Sequence, residues 1–501
     1  MTSEKSKKSL KFLNTIERIG NKLPEPLMIF VILIAAVIGL STILDWAGMS
    51  VLHPQDGELL EIRSLLSGEG IEYMVTSLVD NFVGFAPLGV VLTLMIGIGL
   101  AERVGLLESL IKTLMLSVPA WLVPYMVFFT GTLQPVASDA AFLIVPPLAG
   151  MIYYTLGRHP VAGIITGFVG ASSGYGTGIL ITSNEPMLAG ITNEAVAILG
   201  DGRMVTAVDN YFFMVVGVLI VTLIAGTITR KVTEPRLGTF EGTTTKEIKP
   251  VSSEEKRALK ITGVVALLYV VIITTLALFP GSPLQNEDGG LVPSPFLDGI
   301  VSFLLVFFII VGLTYGFSMK KISGTADVMR YSGEAIAERS NFVVIIFFIA
   351  QFTAFFDWTN IGLWMAVNGA EFLISVNLTG MVTIVGVILL SAMMTLLITS
   401  GSGLWAILAP SFVPMFMQLG YDPAVVQMAY RIGDSATGMI TPLTPYMIVI
   451  LGFIREWDKR IGIGSLISYT LPYSILILIS STLLLLGFAW LGIPIGPGVH
   501  F

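Results

Sequence analysis

The chain has 501 residues, 54% of them hydrophobic and only 12% charged, with a net charge of −7. A soluble domain carries about 25% charged residues, so this composition excludes an ordinary soluble protein and describes a polytopic membrane protein. The absence of cysteine and a total of three histidines exclude disulfide staples and thiolate or histidine-built metal centres, and no cofactor or nucleic-acid signature is present.

Residues 1–25 are basic and amphipathic and lack the apolar core and small-residue cleavage site of a secretory signal. They read as a cytoplasmic helix lying along the membrane. The first repeat spans 26–229. It begins with an apolar run at 26–47, long enough to cross because about 20 residues traverse the hydrocarbon core. Residues 48–80 are extramembrane with one basic residue, Arg63; a second span covers 82–101 and a short apolar helix 106–117. Segment 120–157 is apolar on both sides of Gln134-Pro135-Val136-Ala137-Ser138-Asp139. Each arm is too short to cross, which predicts a re-entrant hairpin with Ser138 and Asp139 at its tip. Segment 160–190 reads as a helix interrupted at Ser172-Ser173-Gly174-Tyr175-Gly176-Thr177-Gly178, leading into Thr182-Ser183-Asn184-Glu185-Pro186. A clean span follows at 208–229.

Residues 230–260 hold eight Lys/Arg and read as a cytoplasmic linker. The second repeat, 261–492, carries spans at 261–280, 297–316 and 341–367, the last interrupted at Phe355-Phe356-Asp357-Trp358. A second hairpin (380–418), a second broken helix (423–454), the basic patch Arg455–Arg460, a final span at 465–492 and an external tail at 493–501 complete it. The expected fold is all-α: about nine transmembrane helices plus two re-entrant hairpins, in two inverted-topology repeats. Basic residues concentrate in 1–23, the linker, 317–339 and 455–460, which places these regions and the N-terminus in the cytoplasm and the C-terminus outside.

A shift of 263 residues brings the halves into register. Gly170-Ala171-Ser172 falls on Gly433-Asp434-Ser435, and Ser138-Asp139-Ala140 falls on Gly401-Ser402-Gly403. Gly- and Pro-interrupted apolar segments at matching places in two halves point to the binding site of a secondary transporter. Both hairpin tips and both helix breaks are rich in small oxygen donors, which suit a hard cation such as Na⁺ or organise a proton site. Candidate coupling groups are the carboxylates Asp434, Glu185 and Asp139 with Ser138, Ser400 and Ser172; a Na⁺ site would draw on Asp434, Ser435, Thr399 and Thr437. Arg431 lies three residues before Asp434, so the two can share a helical face. They form either a structural ion pair or an Arg that meets a substrate carboxylate beside an ion-coupling Asp. Trp405 either stacks on an aromatic substrate or fills the hairpin core. Asp357, beside Trp358, reads as lying near a membrane face. Gly170-Ala171-Ser172-Ser173-Gly174 matches G-x-S-x-G but lacks the strand–turn–helix setting of a nucleophile elbow.

The segments Ser400-Gly401-Ser402-Gly403-Leu404-Trp405, Tyr430-Arg431-Ile432-Gly433-Asp434-Ser435 and Thr441-Pro442-Leu443-Thr444-Pro445-Tyr446 resemble the p-aminobenzoyl-glutamate transporter (AbgT) family of the ion-transporter superfamily. The resemblance implies a homodimer with an inner scaffold core and an outer transport core, and functional positions at Ser402, Trp405, Pro423, Arg431, Asp434 and Pro442. Where the family commonly carries Thr-Thr-Asp, this chain has Ser183-Asn184-Glu185 followed by Pro186, which keeps a carboxylate on a longer arm and makes Asn184 a substrate-binding candidate. The resulting expectation is an Na⁺- or H⁺-coupled carrier of small aromatic or carboxylate anions in a bacterial inner membrane, including p-aminobenzoyl-glutamate and sulfonamide antimetabolites. A Na⁺-coupled dicarboxylate symporter, a channel and an intramembrane hydrolase using Ser172 or Ser402 are the alternatives.

Overall fold

The computed structural model describes residues 26–54, 57–137, 140–200, 202–242 and 251–501. The amphipathic segment 1–25, the hairpin tip residues Ser138 and Asp139, and part of the linker lie outside these. Among the described residues, seven helices are long and apolar enough to cross a membrane: Leu27–Trp46, Ala86–Arg103, Tyr211–Leu237, Ser253–Leu278, Ile300–Ser318, Ser340–Trp358 and Ile463–Leu491. Their apolar residues run all round the helix, as a bilayer allows, and most of the Ser253–Leu278 surface faces outward.

Between the long helices lie two matching sets of short ones. The first hairpin has arms Val123–Gly131 and Ala140–Thr155, with the short helix Gln134–Ala137 near its tip; the second has arms Met381–Thr395 and Gly401–Gln418. The first broken helix comprises Pro160–Ser173 and Asn184–Ala197, the second Pro423–Thr437 and Pro445–Arg455. Three of these arms open on proline, whose missing N–H costs nothing in the first helical turn. Side chains serve as caps for the entering arms: His159 accepts from the Val161 N–H and Asp422 from the Ala424 N–H.

The same close crossing recurs in each repeat. A Cβ on Gly170 would stand 2.4 Å from the Phe128 carbonyl oxygen, and one on Gly433 2.4 Å from that of Ile388. Each broken helix thus presses its backbone onto the first arm of its own hairpin, where only glycine fits. The pairing Gly170/Gly433 is the one the 263-residue shift defines.

Two expectations are corrected. The helix expected to be interrupted at Phe355-Phe356-Asp357-Trp358 runs unbroken from Ser340 to Trp358. It stops two residues on, at Asn360, which takes the left-handed conformation (φ 60°) that Asn tolerates, and a separate helix Ile361–Ser375 follows. Segment 48–80 carries strands Ser50–Leu52 and Leu59–Glu61, paired antiparallel, and helices Gly68–Thr76 and Leu78–Val83, the one small ribbon among the described residues of this helical fold. The second arm of the first broken helix continues to Ala197 rather than ending near 190.

Candidate functional site

The unwound stretch between the arms of the first broken helix lies directly on the second broken helix. A Cβ on Gly176 would approach the Ser435 Oγ to 2.3 Å and the Arg431 carbonyl oxygen to 3.0 Å. This contact lets Arg431 reach across the repeats. Its Nε donates to the Tyr175 carbonyl at 2.8 Å and its Nη2 to Glu185 Oε1 at 2.6 Å, with Arg431 fully buried and Glu185 3% exposed. The other carboxylate oxygen of Glu185 accepts from both the backbone N–H and the hydroxyl of Thr182, each at 2.6 Å. The Arg431 guanidinium keeps one nitrogen, Nη1, buried and without a hydrogen-bond partner.

The Arg431–Asp434 ion pair anticipated as one reading is therefore not made. Asp434 points the other way and accepts from the Thr395 hydroxyl of the second hairpin at 2.8 Å. Helical spacing places the two residues on neighbouring faces, but Glu185 of the other repeat holds the guanidinium.

Asp434 and Thr395 open onto a cavity of about 140 Å³. Its wall takes residues from all four interruptions: Gln134 and Phe142 from the first hairpin, Ser172 and Tyr175 from the first break, Thr399 and Gly401 from the second tip, and Gly438, Thr441 and Thr444 from the second break. The Phe142 ring stacks on Tyr446 with centroids 4.0 Å apart. The site is hydroxyl-rich with one carboxylate, a donor set fit for Na⁺ or for a proton held on Asp434.

Trp405 is fully buried, stacked on Tyr430 at 4.8 Å, and its indole N–H donates to the Thr192 hydroxyl at 3.0 Å. The Tyr430 hydroxyl in turn donates to the Gly401 carbonyl at the second hairpin tip. In this conformation Trp405 fills the hairpin core, so contact with a substrate requires the hairpin to move.

The sequence profile described as "AbgT putative transporter family" matches residues 11–501. The chain belongs to the AbgT family. It is 38% identical over 496 residues to the p-aminobenzoyl-glutamate transport protein of Escherichia coli (strain K12), covering 99% of this chain and 98% of the relative. The structure of Neisseria gonorrhoeae MtrF, which illuminates a class of antimetabolite efflux pumps, superposes with a TM-score of 0.91 at 38% identity, over 97% of this chain and all of that one. The Alcanivorax borkumensis YdaH transporter, described as having an unusual topology, superposes with a TM-score of 0.88 at 36% identity, over 95% of this chain and all of that one.

AbgT-family members are transporters, not enzymes, and the serine geometry agrees. Ser172 sits near the end of helix Pro160–Ser173, while His159 caps the opposite end, about 20 Å away at 1.5 Å per residue. The remaining candidates divide among distinct places. Thr399, Ser172 and Asp434 meet at the cavity; Ser435 and Thr437, the other two expected Na⁺ ligands, are absent from its wall and donate back to their own helix at Ile432 and Gly433. Ser400 caps the second arm of the second hairpin by accepting from Gly403 N–H, and Ser402 follows half-buried in the first turn. Pro423 opens the second broken helix, Pro442 stands half-buried beyond its break, and Asn184 is half-buried beside Glu185.

Sequence reasoning gave no role to Thr395, Thr182, Thr192 or Gln427. Thr395 and Thr192 lie within helices, where a hydroxyl bonded to its own backbone is the ordinary state, and Thr182 stands just before a helix in a run of polar residues. Only the partner on another element distinguishes them.

Proposed function

We propose that this AbgT-family chain is an ion-coupled secondary transporter of p-aminobenzoyl-glutamate and related aromatic carboxylates, working as a homodimer in a bacterial inner membrane. The observation that carries this reading is the meeting of all four helix interruptions at one hydroxyl-lined cavity, one of whose wall residues, Tyr175, accepts through its carbonyl from Arg431 of the buried Arg431–Glu185 pair. The unpartnered Nη1 of Arg431 offers a donor to a substrate carboxylate. Arg is suited to that work because its planar fork matches carboxylate geometry. Asp434, with Thr395 and Thr399, takes the coupling Na⁺ or H⁺, and Glu185 exchanges with the substrate for Arg431.

Ligand pockets typically measure about 300–1,000 Å³, so the cavity of about 140 Å³ corresponds to a closed state. Movement of the hairpins against the long helices enlarges it, and alternating access follows from that movement. The name of the Escherichia coli relative supports the substrate, and the likeness to MtrF supports export of antimetabolites.

The test is flux in proteoliposomes with labelled p-aminobenzoyl-glutamate under separately imposed Na⁺ and proton gradients. Accumulation under one gradient, competed by sulfonamides and lost in Asp434→Asn, is the expected result. Competition by succinate or citrate but not by aromatic ligands would instead identify a dicarboxylate symporter.

A further inference from the structure

Four buried polar side chains form one continuous chain of hydrogen bonds through the apolar core. Trp405 Nε1 donates to Thr192 Oγ1 at 3.0 Å, Thr192 Oγ1 to Gln427 Oε1 at 2.6 Å, Gln427 Nε2 to Asn210 Oδ1 at 2.9 Å, and Asn210 Nδ2 to the Ala424 carbonyl at 2.8 Å. All four side chains are buried. The direction of the chain is forced from both ends. The indole N–H only donates and the Ala424 oxygen only accepts. Asn210 must therefore present its amide nitrogen to Ala424 and its oxygen to Gln427. Gln427 must turn its own oxygen to Thr192, and the single hydroxyl proton of Thr192 goes there. The Leu188 carbonyl, 2.8 Å from the same hydroxyl, is the alternative acceptor within its own helix. Choosing it would leave the Gln427 oxygen without a donor.

Each member comes from a different element. Trp405 lies in the second hairpin, Thr192 in the second arm of the first broken helix, Gln427 in the first arm of the second broken helix, and Asn210 immediately before the long helix starting at Tyr211. The far end is tied down as well. Asp209, next to Asn210, and Asp422, which caps the second broken helix, share Arg203 at 2.8 and 2.9 Å. A hydrogen-bond chain in a low-dielectric interior strengthens along its length, and cutting any link strands a buried group.

We infer that Thr192, Gln427 and Asn210 are positioning residues: they hold Trp405, and through it the second hairpin, in the closed conformation. The inference rests on the reading of that hairpin as a moving part of the transporter. Opening the hairpin must break the Trp405–Thr192 link, so the strength of the chain sets how often the site opens.

The absence of cysteine from the whole sequence makes a direct test simple. A reporter Ala406→Cys, fully buried in the second hairpin, in otherwise unchanged protein in liposomes, is labelled with a maleimide. Adding Thr192→Val, which keeps the shape and removes the hydroxyl, should speed labelling about tenfold, the shift that follows from one lost buried hydrogen bond. Gln427→Met leaves the Trp405–Thr192 bond in place and lets the Thr192 hydroxyl turn to the Leu188 carbonyl, so it should speed labelling by a smaller factor, which keeps the test alive if Thr192→Val fails to fold. Thr192→Ser should restore the slow rate. A reporter Thr132→Cys on the first hairpin should label at an unchanged rate. Unchanged labelling at Ala406→Cys, or equal acceleration at both reporters, would overturn the inference. No substrate enters the measurement, so a failure to transport p-aminobenzoyl-glutamate leaves its outcome readable.

Discussion

Arg431 Nη2 and Glu185 Oε1 meet at 2.6 Å across 246 residues of chain, and the contact joins the two repeats at the centre of the protein. Removing one partner of a buried pair leaves an uncompensated charge and costs about 3–5 kcal/mol, whereas replacing both by apolar groups is often neutral. Glu185→Ala and Arg431→Ala should each lower the melting temperature of the detergent-solubilised protein markedly and abolish flux. Glu185→Leu with Arg431→Met should recover much of the thermal stability without recovering flux. Melting curves and proteoliposome uptake, measured on the same preparations, check both halves of this expectation.

Asp434→Asn keeps an oxygen to accept from the Thr395 hydroxyl, now 2.8 Å away, and removes only the charge. The expected result is a protein that folds, binds substrate and exchanges it at equilibrium, but no longer accumulates it against a gradient. Counterflow compared with gradient-driven uptake separates the two.

Gly433→Ala would drive a methyl to 2.4 Å from the Ile388 carbonyl oxygen, a backbone atom that cannot step aside. Overpacking of this kind costs about 1–3 kcal/mol. Gly170→Ala makes the corresponding clash at Phe128 and should cost a similar amount, while Gly263→Ala, where nothing lies within 4 Å, should be close to neutral. Three melting curves decide it.

His159 caps helix Pro160–Ser173 with Nδ1 as acceptor from the Val161 N–H at 3.3 Å, a bond only the neutral ring makes. Burial, the largest cause, holds its pKa below the usual value, against the opposing charge of Asp458. The folded state therefore binds fewer protons than the unfolded one. Stability from this group is present above the unfolded pKa of about 6.5 and is lost as pH falls through the lower folded value. His159→Asn retains a capping oxygen and should flatten the decline in melting temperature between about pH 7.5 and 5.

The membrane class, the long spans, the two hairpins and the two broken helices were legible because each is a local property. Run length sets whether a segment crosses, and Gly, Pro, Ser and Thr at the breaks state where backbone leaves the helix. The interruption assigned to Phe355-Phe356-Asp357-Trp358 failed for the same local reason: large aromatics are compatible with helix, and the stop came from Asn360. Asp434 and Thr399 were singled out by their places beside the breaks, and both line the cavity.

The tertiary structure alone decided which partners these residues take. Arg431 has Asp434 one turn away and Glu185 in the other repeat, and the close approach at Gly176 awards it to Glu185. Trp405 reads in sequence equally as a substrate platform or a core residue, and its burial against Tyr430 and Thr192 depends on three elements far apart in the chain. Composition and periodicity determine where a helix begins, breaks and meets lipid. The choice between competing partners depends on rotamers and sub-ångström packing between distant segments, which no local pattern encodes.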